Sequence, residues 1–288
     1  MNSRLVILGS GGGPTPKPDR HAAAHALVLG GETSIIDCGN GVGGQLVRAG
    51  IALGSVRRIL ITHHHIDHVA DFGVLVHQCW LRLEEPVEIL GPPPIARMMQ
   101  LYLEMFAQDI GWRVTDDGRR DLREFIRVRE ITEPGAVIDT PELRLSCTLV
   151  EHPPVDRVFA YRFDAAEGSV VFSADTVPSA NLARLARGAD VLVHEALYLD
   201  GAALRLPPER VQRMTARMLR VHSQPEAAGR IAREAGVRLL VLSPLGTFGP
   251  VDEQHLRDRA ASEFHGEILV GRDLLDIPLP CPGQNATT

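Results

Sequence analysis

The sequence has few cysteines, and no two of them lie close together. They stand at Cys38, Cys79, Cys147 and Cys281, without a C-x-x-C pair. This spacing excludes a thiolate zinc finger and a thioredoxin-type redox motif, and it offers no disulfide framework. We therefore predict buried or incidental thiols in a reducing, cytoplasmic compartment.

Long apolar runs are also absent. The N-terminal segment has only a short apolar run before its glycines, whereas a secretory signal needs roughly 7–15 apolar residues and a cleavage site. No stretch approaches the ~20 apolar residues of a membrane-spanning helix. We expect a soluble cytoplasmic protein without a membrane partner.

The chain also has no excess of positive charge. Its formal net charge is −6, whereas nucleic-acid binding usually requires a basic face. This balance argues against a nucleic-acid partner. The hydrophobic share of 44% is ordinary for a globular protein with a full core.

What the sequence does contain is an alternation of short β-type runs with helical patterns. The runs are rich in valine, isoleucine and leucine, and this alternation predicts a layered α/β fold. We predict one domain over residues 1–280 and a disordered tail over residues 281–288. Residues 78–140 mix aromatic and charged side chains, so this segment is either an insertion that covers a substrate pocket or a plain part of the scaffold.

The most informative segment follows an apolar strand at residues 59–62. It contains the pattern H-x-H-x-D-H, formed by His63, His65, Asp67 and His68. Alternation along the chain directs His63 and His65 to one ion and leaves His64 pointing away. Asp67 and His68, past the turn, can face a second ion. These ligands suit zinc, or manganese or iron, and burying them without a metal would be costly.

This motif resembles the signature of the metallo-β-lactamase superfamily, and its surroundings are most similar to the ribonuclease Z and arylsulfatase-type branch. Further strings occur in that branch's order along nearly the whole chain. They are L-G-S-G-G-G-P from Leu8, then Arg20, I-D-C-G around Asp37, E-H-P around His152, F-S-A-D-T around Asp175, H-E-A around Glu195 and H-S at His222. The resemblance implies an αββα sandwich of two facing mixed sheets with helices outside.

The resemblance also implies roles for individual residues. His63, His65 and His152 would hold the first metal ion, Asp67 and His68 would hold the second, and Asp175 would bridge them. Asp37 would orient a ligand. The implied catalytic residues are Asp67, which positions the nucleophile, and His222, a proton donor held by Glu195. From the residues alone, Asp175 could instead cap a helix at 176–181, and His222 could cap the helix that starts at Pro225.

One departure from the branch's pattern concerns the second ion. The branch has a last histidine after its late strand, but this chain has Pro244 after Ser243. Proline has no ligand atom. Ser243, His222 or water are the candidates to fill the gap, and otherwise the second site is weak or empty. The cofactor is therefore predicted as one or two zinc ions.

Our leading functional hypothesis is a hydrolase that uses a metal-bound hydroxide on a small ester, lactone, sulfate ester or phosphodiester. The branch's RNA-processing members carry a long tRNA-gripping arm between the third histidine and the bridging aspartate. Here the interval from His152 to Asp175 has room only for two short strands and a turn. We therefore expect a small-molecule substrate and no nucleic-acid partner. A homodimer is one possible assembly, and this interval does not bear on it.

Two alternatives to the hydrolase stay open at this point. The proline at position 244 motivates a mononuclear-metal lyase or dehalogenase in which the metal acts as a Lewis acid. The other alternative is a non-enzymatic binding protein on a degenerate site.

Overall fold

The strands form two sheets that face each other. The computed structural model describes residues 3–199 and 207–279. The first sheet contains, in spatial order, β15 (Leu275–Pro278), β1 (Arg4–Gly9), β3 (Ala24–Leu29), β4 (Glu32–Ile36), β5 (Val56–Leu60), β6 (Val87–Gly91) and β7 (Ile126–Glu130). The second contains β14 (Glu267–Val270), β13 (Leu239–Thr247), β12 (Val191–Tyr198), β11 (Gly168–Phe172), β10 (Val155–Ala165), β9 (Leu143–His152) and β8 (Gly135–Asp139), while β2 (Gly11–Gly12) pairs with β13.

Both sheets are mixed. In the first sheet the pairs from β15 to β4 are antiparallel and those from β4 to β7 are parallel. In the second, the pairs from β8 to β11 are antiparallel and those from β11 to β14 are parallel. The β3–β4 turn contains Gly30 and Gly31, both with positive φ, as the commonest two-residue hairpin turn requires.

The helices lie between the strands along the chain. They are α1 (Val42–Arg48), α2 (Ile66–Val69), α3 (Phe72–Trp80), α4 (Ile95–Met105), α5 (Ala107–Thr115), α6 (Ala180–Leu185), α7 (Pro208–Met218), α8 (Pro225–Ala235) and α9 (Glu253–Ala261), with short 3-10 turns at Leu53–Ser55 and Leu122–Phe125.

Alternation of side chains along the strands builds three apolar layers. Leu5 and Ile7 of β1 belong to the layer between the two sheets, while Val6 and Leu8 belong to the outer layer that includes helical residues such as Leu75. A third layer joins the outer face of the second sheet to α6, α8 and α9. This arrangement confirms the predicted αββα sandwich.

Residues 78–140 are more closely integrated than an insertion would be. Within this segment, β6 and β7 pair in the first sheet and β8 pairs in the second. These three strands are therefore part of the scaffold, because their backbones are hydrogen-bonded to neighbouring strands in the two sheets. A pocket-covering role for the rest of the segment stays a prediction.

Other expectations concern the surroundings of the fold. In the described ranges, no helix combines the length and apolar character needed to cross a membrane. Cys38, Cys79 and Cys147 are buried and free, while Cys281 and the predicted tail at 281–288 lie outside the described residues. The cytoplasmic location and the homodimer stay predictions.

Three strands bring the predicted metal ligands to one edge of the sandwich. The H-x-H-x-D-H segment follows β5 of the first sheet, His152 ends β9 of the second sheet, and Asp175 follows β11. His68 Nε2 lies 3.5 Å from Asp175 Oδ2. The site therefore forms where the two sheets meet.

Candidate metal centre

The loop after β5 is fixed by the buried carboxylate of Asp37. The Thr62 amide donates to Asp37 Oδ1 at 2.8 Å, and the Thr62 hydroxyl donates to Asp37 Oδ2 at 2.9 Å. The His68 ring donates from Nδ1 to the same Oδ2 at 2.8 Å. Burial raises the pKa of Asp37, against the opposing effect of His68. One carboxylate therefore anchors both ends of the histidine segment.

The first cluster consists of His63, His65, His152 and Asp175. Each offers one ligand atom, and the four atoms lie within 4.8 Å of one another. His65 Nδ1 is 3.0 Å from His63 Nε2 and 3.1 Å from His152 Nε2. A tetrahedral zinc site with bonds of 2.0–2.1 Å places neighbouring nitrogens about 3.3 Å apart. The first cluster therefore fits a metal ion.

Hydrogen bonds aim the histidine lone pairs at the centre of the first cluster. His152 donates from Nδ1 to the Val221 carbonyl at 2.6 Å, and His63 Nδ1 lies 2.9 Å from the Thr62 hydroxyl oxygen. These bonds leave Nε2 of both rings unprotonated and free to ligate. Burial lowers the pKa of His63, His65 and His152, which keeps the rings neutral.

The second cluster consists of Asp67, His68 and the shared Asp175. His68 Nε2 lies 3.5 Å from an oxygen of each carboxylate, yet it is buried without a hydrogen-bond partner among the described residues. Burial opposes its charge, but Asp175 and Asp37 raise the pKa of His68 well above its usual value. A metal ion can replace that proton beside the carboxylates. Among the described residues, however, Asp67, His68 and Asp175 do not form a group whose ligand atoms all lie within 4.8 Å of one another, so a second ion held by these residues stays a prediction.

The glycine loop holds Asp67 in place. The Gly13 amide donates to Asp67 Oδ2 at 2.6 Å, from a backbone with φ of 88° that favours glycine.

Beside Asp67 lies a cavity of about 230 Å³, which Lys17 and Arg20 help to line. Burial lowers the pKa of Lys17. The Arg20 guanidinium donates to the Ser10 hydroxyl and the Gly271 carbonyl. The Lys17 ammonium donates to the Gly12 carbonyl, and its remaining protons can meet an anion bound in the cavity. We did not predict Lys17 from the sequence, although the strand-glycine-proline pattern before it indicated an ordered loop.

A buried ion pair stands beside the clusters. His222 Nδ1 lies 3.1 Å from both carboxylate oxygens of Glu195 and 3.8 Å from Asp175 Oδ2. The amides of Thr176 and Ser223 donate to Glu195 Oε1. Burial disfavours the charged imidazole, but Glu195 and Asp175 outweigh it and raise the pKa of His222 to about 9. Burial likewise raises the pKa of Glu195 to about 7.

The helix-capping alternatives for two of these residues do not match the structure. The cap of α6 is Ser179, whose side chain accepts from the Leu182 amide, so Asp175 is free to face the clusters. The cap position of α8 is Gln224, and His222 instead faces Glu195. His64 bonds the Pro92 carbonyl at 2.9 Å and points away from the ligands, as strand alternation predicts.

Pro244 lies beside the second cluster. It lines a small cavity together with His68, Asp37 and Ser243. The Ser243 hydroxyl is 3.1 Å from His25 Nε2, so this candidate replacement ligand already has a partner. His222 belongs to a separate group of possible ligands with Asp175 and Glu195, within 4.8 Å.

We expect Pro244→His to raise bound metal toward two ions per chain. The position borders His68, and an imidazole bound directly to the ion should matter more than the outer contacts whose loss costs about 10–100-fold in affinity. Elemental analysis of dialysed protein measures the stoichiometry. Pro244→Ala, which removes the ring without adding a ligand, is the control and should stay at the original value. Two tightly held ions in the unsubstituted protein, or no change in Pro244→His, would contradict this account of the second site.

The fold and the His/Asp cluster define a metal-dependent hydrolase of the metallo-β-lactamase type. The family model for the Anti-Pycsar protein Apyc1 matches residues 3–202. "Ribonuclease Z" of Mycobacterium sp. (strain KMS) is 36% identical over 276 residues, 94% of each chain. Human tRNase Z, short form (ELAC1), superposes with a TM-score of 0.74 at 22% identity, over 96% of this chain and 99% of that one. The metallo-β-lactamase fold protein YhfI of Bacillus subtilis gives 0.70 at 20% identity, with the same coverage.

The chain thus belongs to the Anti-Pycsar Apyc1 family and to the ribonuclease Z branch of the metallo-β-lactamase superfamily. This confirms the resemblance drawn from the motifs, the hydrolase class and, together with the cluster, zinc as the predicted type of cofactor. The hydrolase class therefore replaces the two alternatives from the sequence, a lyase or dehalogenase and a non-enzymatic binding protein.

The expectation of a small-molecule substrate without a nucleic-acid partner is wrong. Curated relatives of this chain are named "Ribonuclease Z", and the matches cover 94–99% of the relatives' own length. No long extra arm therefore distinguishes these relatives from this chain. The interval between His152 and Asp175 is short, as expected: it contains only β10, β11 and their turns. The error lay in treating that arm, and a net charge summed over the whole chain, as requirements for an RNA substrate.

Proposed function

We propose that the protein is a metal-dependent phosphodiesterase that cleaves RNA. The observation that carries the proposal is the first cluster lying beside the His222–Glu195 pair, in a chain whose curated relatives are ribonucleases. A cluster of metal ligands next to a positioned proton donor suits a reaction in which an alkoxide leaves a phosphate.

We assign the ligands from the geometry of the two clusters. His63, His65, His152 and Asp175 would hold one zinc ion, and Asp67, His68 and Asp175 would hold a second, weaker one. When bound, the ions lower the pKa of the attacking water and stabilise the charge that develops on the phosphate. Asp37 would keep His68 and, through Thr62, His63 in their ligating orientations.

The remaining residues act on the substrate itself. Asp67, held by the Gly13 amide, would orient the attacking water from one side. His222, whose raised pKa keeps it protonated at neutral pH, would donate a proton to the leaving oxygen of the RNA. Glu195 would hold the ring and stabilise its charge. Lys17, in the cavity beside Asp67, would attract a phosphate next to the one that is cleaved.

Cleavage of labelled RNA tests this proposal. Zinc-loaded protein is expected to cut a transfer-RNA precursor with a 3′ extension, and a chelator should stop the reaction. A DNA strand of the same sequence serves as the matched control for a ribose requirement. If the metal-loaded protein hydrolyses a generic nitrophenyl phosphodiester but leaves every RNA intact, RNA is not the substrate. If it hydrolyses neither, the phosphodiesterase proposal fails as well.

A further inference from the structure

Helix α7 carries an exposed basic face immediately before the His222 segment. Arg210, Arg213 and Arg217 are exposed and follow the i, i+3, i+7 spacing that places side chains on one side of a helix. Arg220, also exposed, lies in the turn after the helix. We call the three helical residues the arginine face. The only acidic residue on α7 is Glu209, so the positive charge is concentrated although the whole chain has a net charge of −6.

The arginine face is available for a ligand. Among residues 3–199 and 207–279, no carboxylate lies within ion-pair distance of Arg210, Arg213 or Arg217, whereas exposed arginines such as Arg233 and Arg272 have glutamate partners. The half-buried residues of α7 are Val211, Met214, Thr215 and Met218, whose side of the helix lies roughly a third of a turn away. The arginines therefore lie on the more exposed side of the helix.

The chain connects this face directly to the clusters. The His222 amide donates to the Met218 carbonyl at 3.0 Å, and the Val221 carbonyl accepts from the ligand-type ring of His152. The His152 and His222 ring centroids are 4.8 Å apart. A polymer with one phosphate at the clusters would therefore have its neighbouring phosphates within reach of α7.

We propose that the arginine face binds the phosphate backbone of the RNA substrate outside the cleavage site. This inference rests on the proposed function, because it takes the polymer at the clusters to be RNA. Guanidinium groups bind phosphates through paired N–H donors, and α7 has no aromatic residue on which a base could stack. The contact is thus independent of sequence and positions the strand. The arginine face would thus hold the RNA, a role for which the short His152–Asp175 interval provides no arm.

The test compares two triple variants that remove the same charge. Arg210→Gln/Arg213→Gln/Arg217→Gln removes the arginine face, and glutamine keeps a similar helix propensity. Arg82→Gln/Arg127→Gln/Arg144→Gln is the control, because these arginines are exposed on other elements. Fluorescence anisotropy with a labelled transfer-RNA precursor measures Kd over a range of salt concentrations. Circular dichroism and metal content establish that each variant is folded and loaded, and single Arg213→Gln replaces the triple variant if that one does not fold.

We expect the arginine-face variant to bind RNA at least about tenfold more weakly. Its slope of log K against log salt should shrink by roughly 2, since each lost contact with single-stranded phosphate removes about 0.7. The control and the metal content should be unchanged. The RNA contact is overturned if the arginine-face variant has the same affinity and salt slope as the unsubstituted protein, or if the control loses as much affinity as the arginine-face variant. Neither result affects RNA cleavage by the unsubstituted protein. Binding of the protein to anionic vesicles is a further measurement. If it depends on the arginine face and added RNA does not compete with it, the face binds a membrane, and the proposed RNA contact is wrong. If the unsubstituted protein neither binds nor cleaves RNA, the failure belongs to the proposed function.

Discussion

Alanine at His63 or His152 is expected to remove metal from the first cluster and to abolish hydrolysis. Each ring contributes a nitrogen about 3 Å from that of His65, and no other histidine among the described residues takes part in that group of ligand atoms. Metal stabilisation of a developing charge is worth several kcal/mol. The rate should therefore fall by about 10³-fold or more, at 1.36 kcal/mol per factor of ten.

The control for this loss lies within the same segment. His64→Ala removes an imidazole from the position between two ligands, yet His64 bonds the Pro92 carbonyl and faces away. Elemental analysis should find metal in His64→Ala and little in His63→Ala or His152→Ala. Full metal content in both of the latter variants would show that the ligand assignment is wrong.

Asparagine at His222 should lower the rate of RNA cleavage by about 10²–10⁴-fold, the range typical of a positioned acid or base, while metal stays bound. The reason is the Glu195 partner at 3.1 Å, which stabilises a proton on the ring beside the clusters. The variant should lose little activity on a nitrophenyl phosphodiester, because that leaving group departs without a proton. A comparison of the two substrates therefore isolates the proton donation.

Metal analysis of the His222→Asn variant shows whether His222 acts as a metal ligand or as a proton donor. His222 also belongs to the ligand-type group with Asp175 and Glu195. If His222→Asn loses a metal ion, and both substrates slow equally, the ring is a ligand of the second ion and not the proton donor. Unchanged cleavage of RNA would exclude both roles.

The elements with local signals were predictable from the sequence. Helix α8 has Pro225 in its first turn and Gly236, with a left-handed φ of 64°, directly after its end. The sequence pattern predicts a helix over 225–235, and the observed helix has the same bounds. The segment 41–50 predicts only a set of turns, because glycine disfavours helix, yet it contains helix α1. The helix forms because Val42 and Leu46 bury their side chains in the outer apolar layer, which outweighs the low helix propensity of the two glycines.

The candidate site was predictable to the extent that residue type determines it. The residues of the H-x-H-x-D-H pattern converge with His152 and Asp175, because all of them follow strand ends at one edge. The Val221 carbonyl that orients His152 and the Gly13 amide that holds Asp67 were not predictable. Any residue can supply a backbone group, so such a contact leaves no trace in the sequence. Apolar residues at helical spacing predict one helix over 95–108, whereas the structure has a break at Phe106 between α4 and α5.

The origin of the ligands has a consequence for folding. The histidine segment belongs to the first sheet, while His152 and Asp175 belong to the second. An ion in the first cluster would therefore cross-link the two sheets. The complete set of ligands exists only while the two sheets are packed together. Since the unfolded chain has no such site, each tenfold rise in free metal above the Kd adds about 1.4 kcal/mol to the free energy of unfolding. The concentration of free metal would thus set the thermodynamic stability of the sandwich as well as the loading of the site.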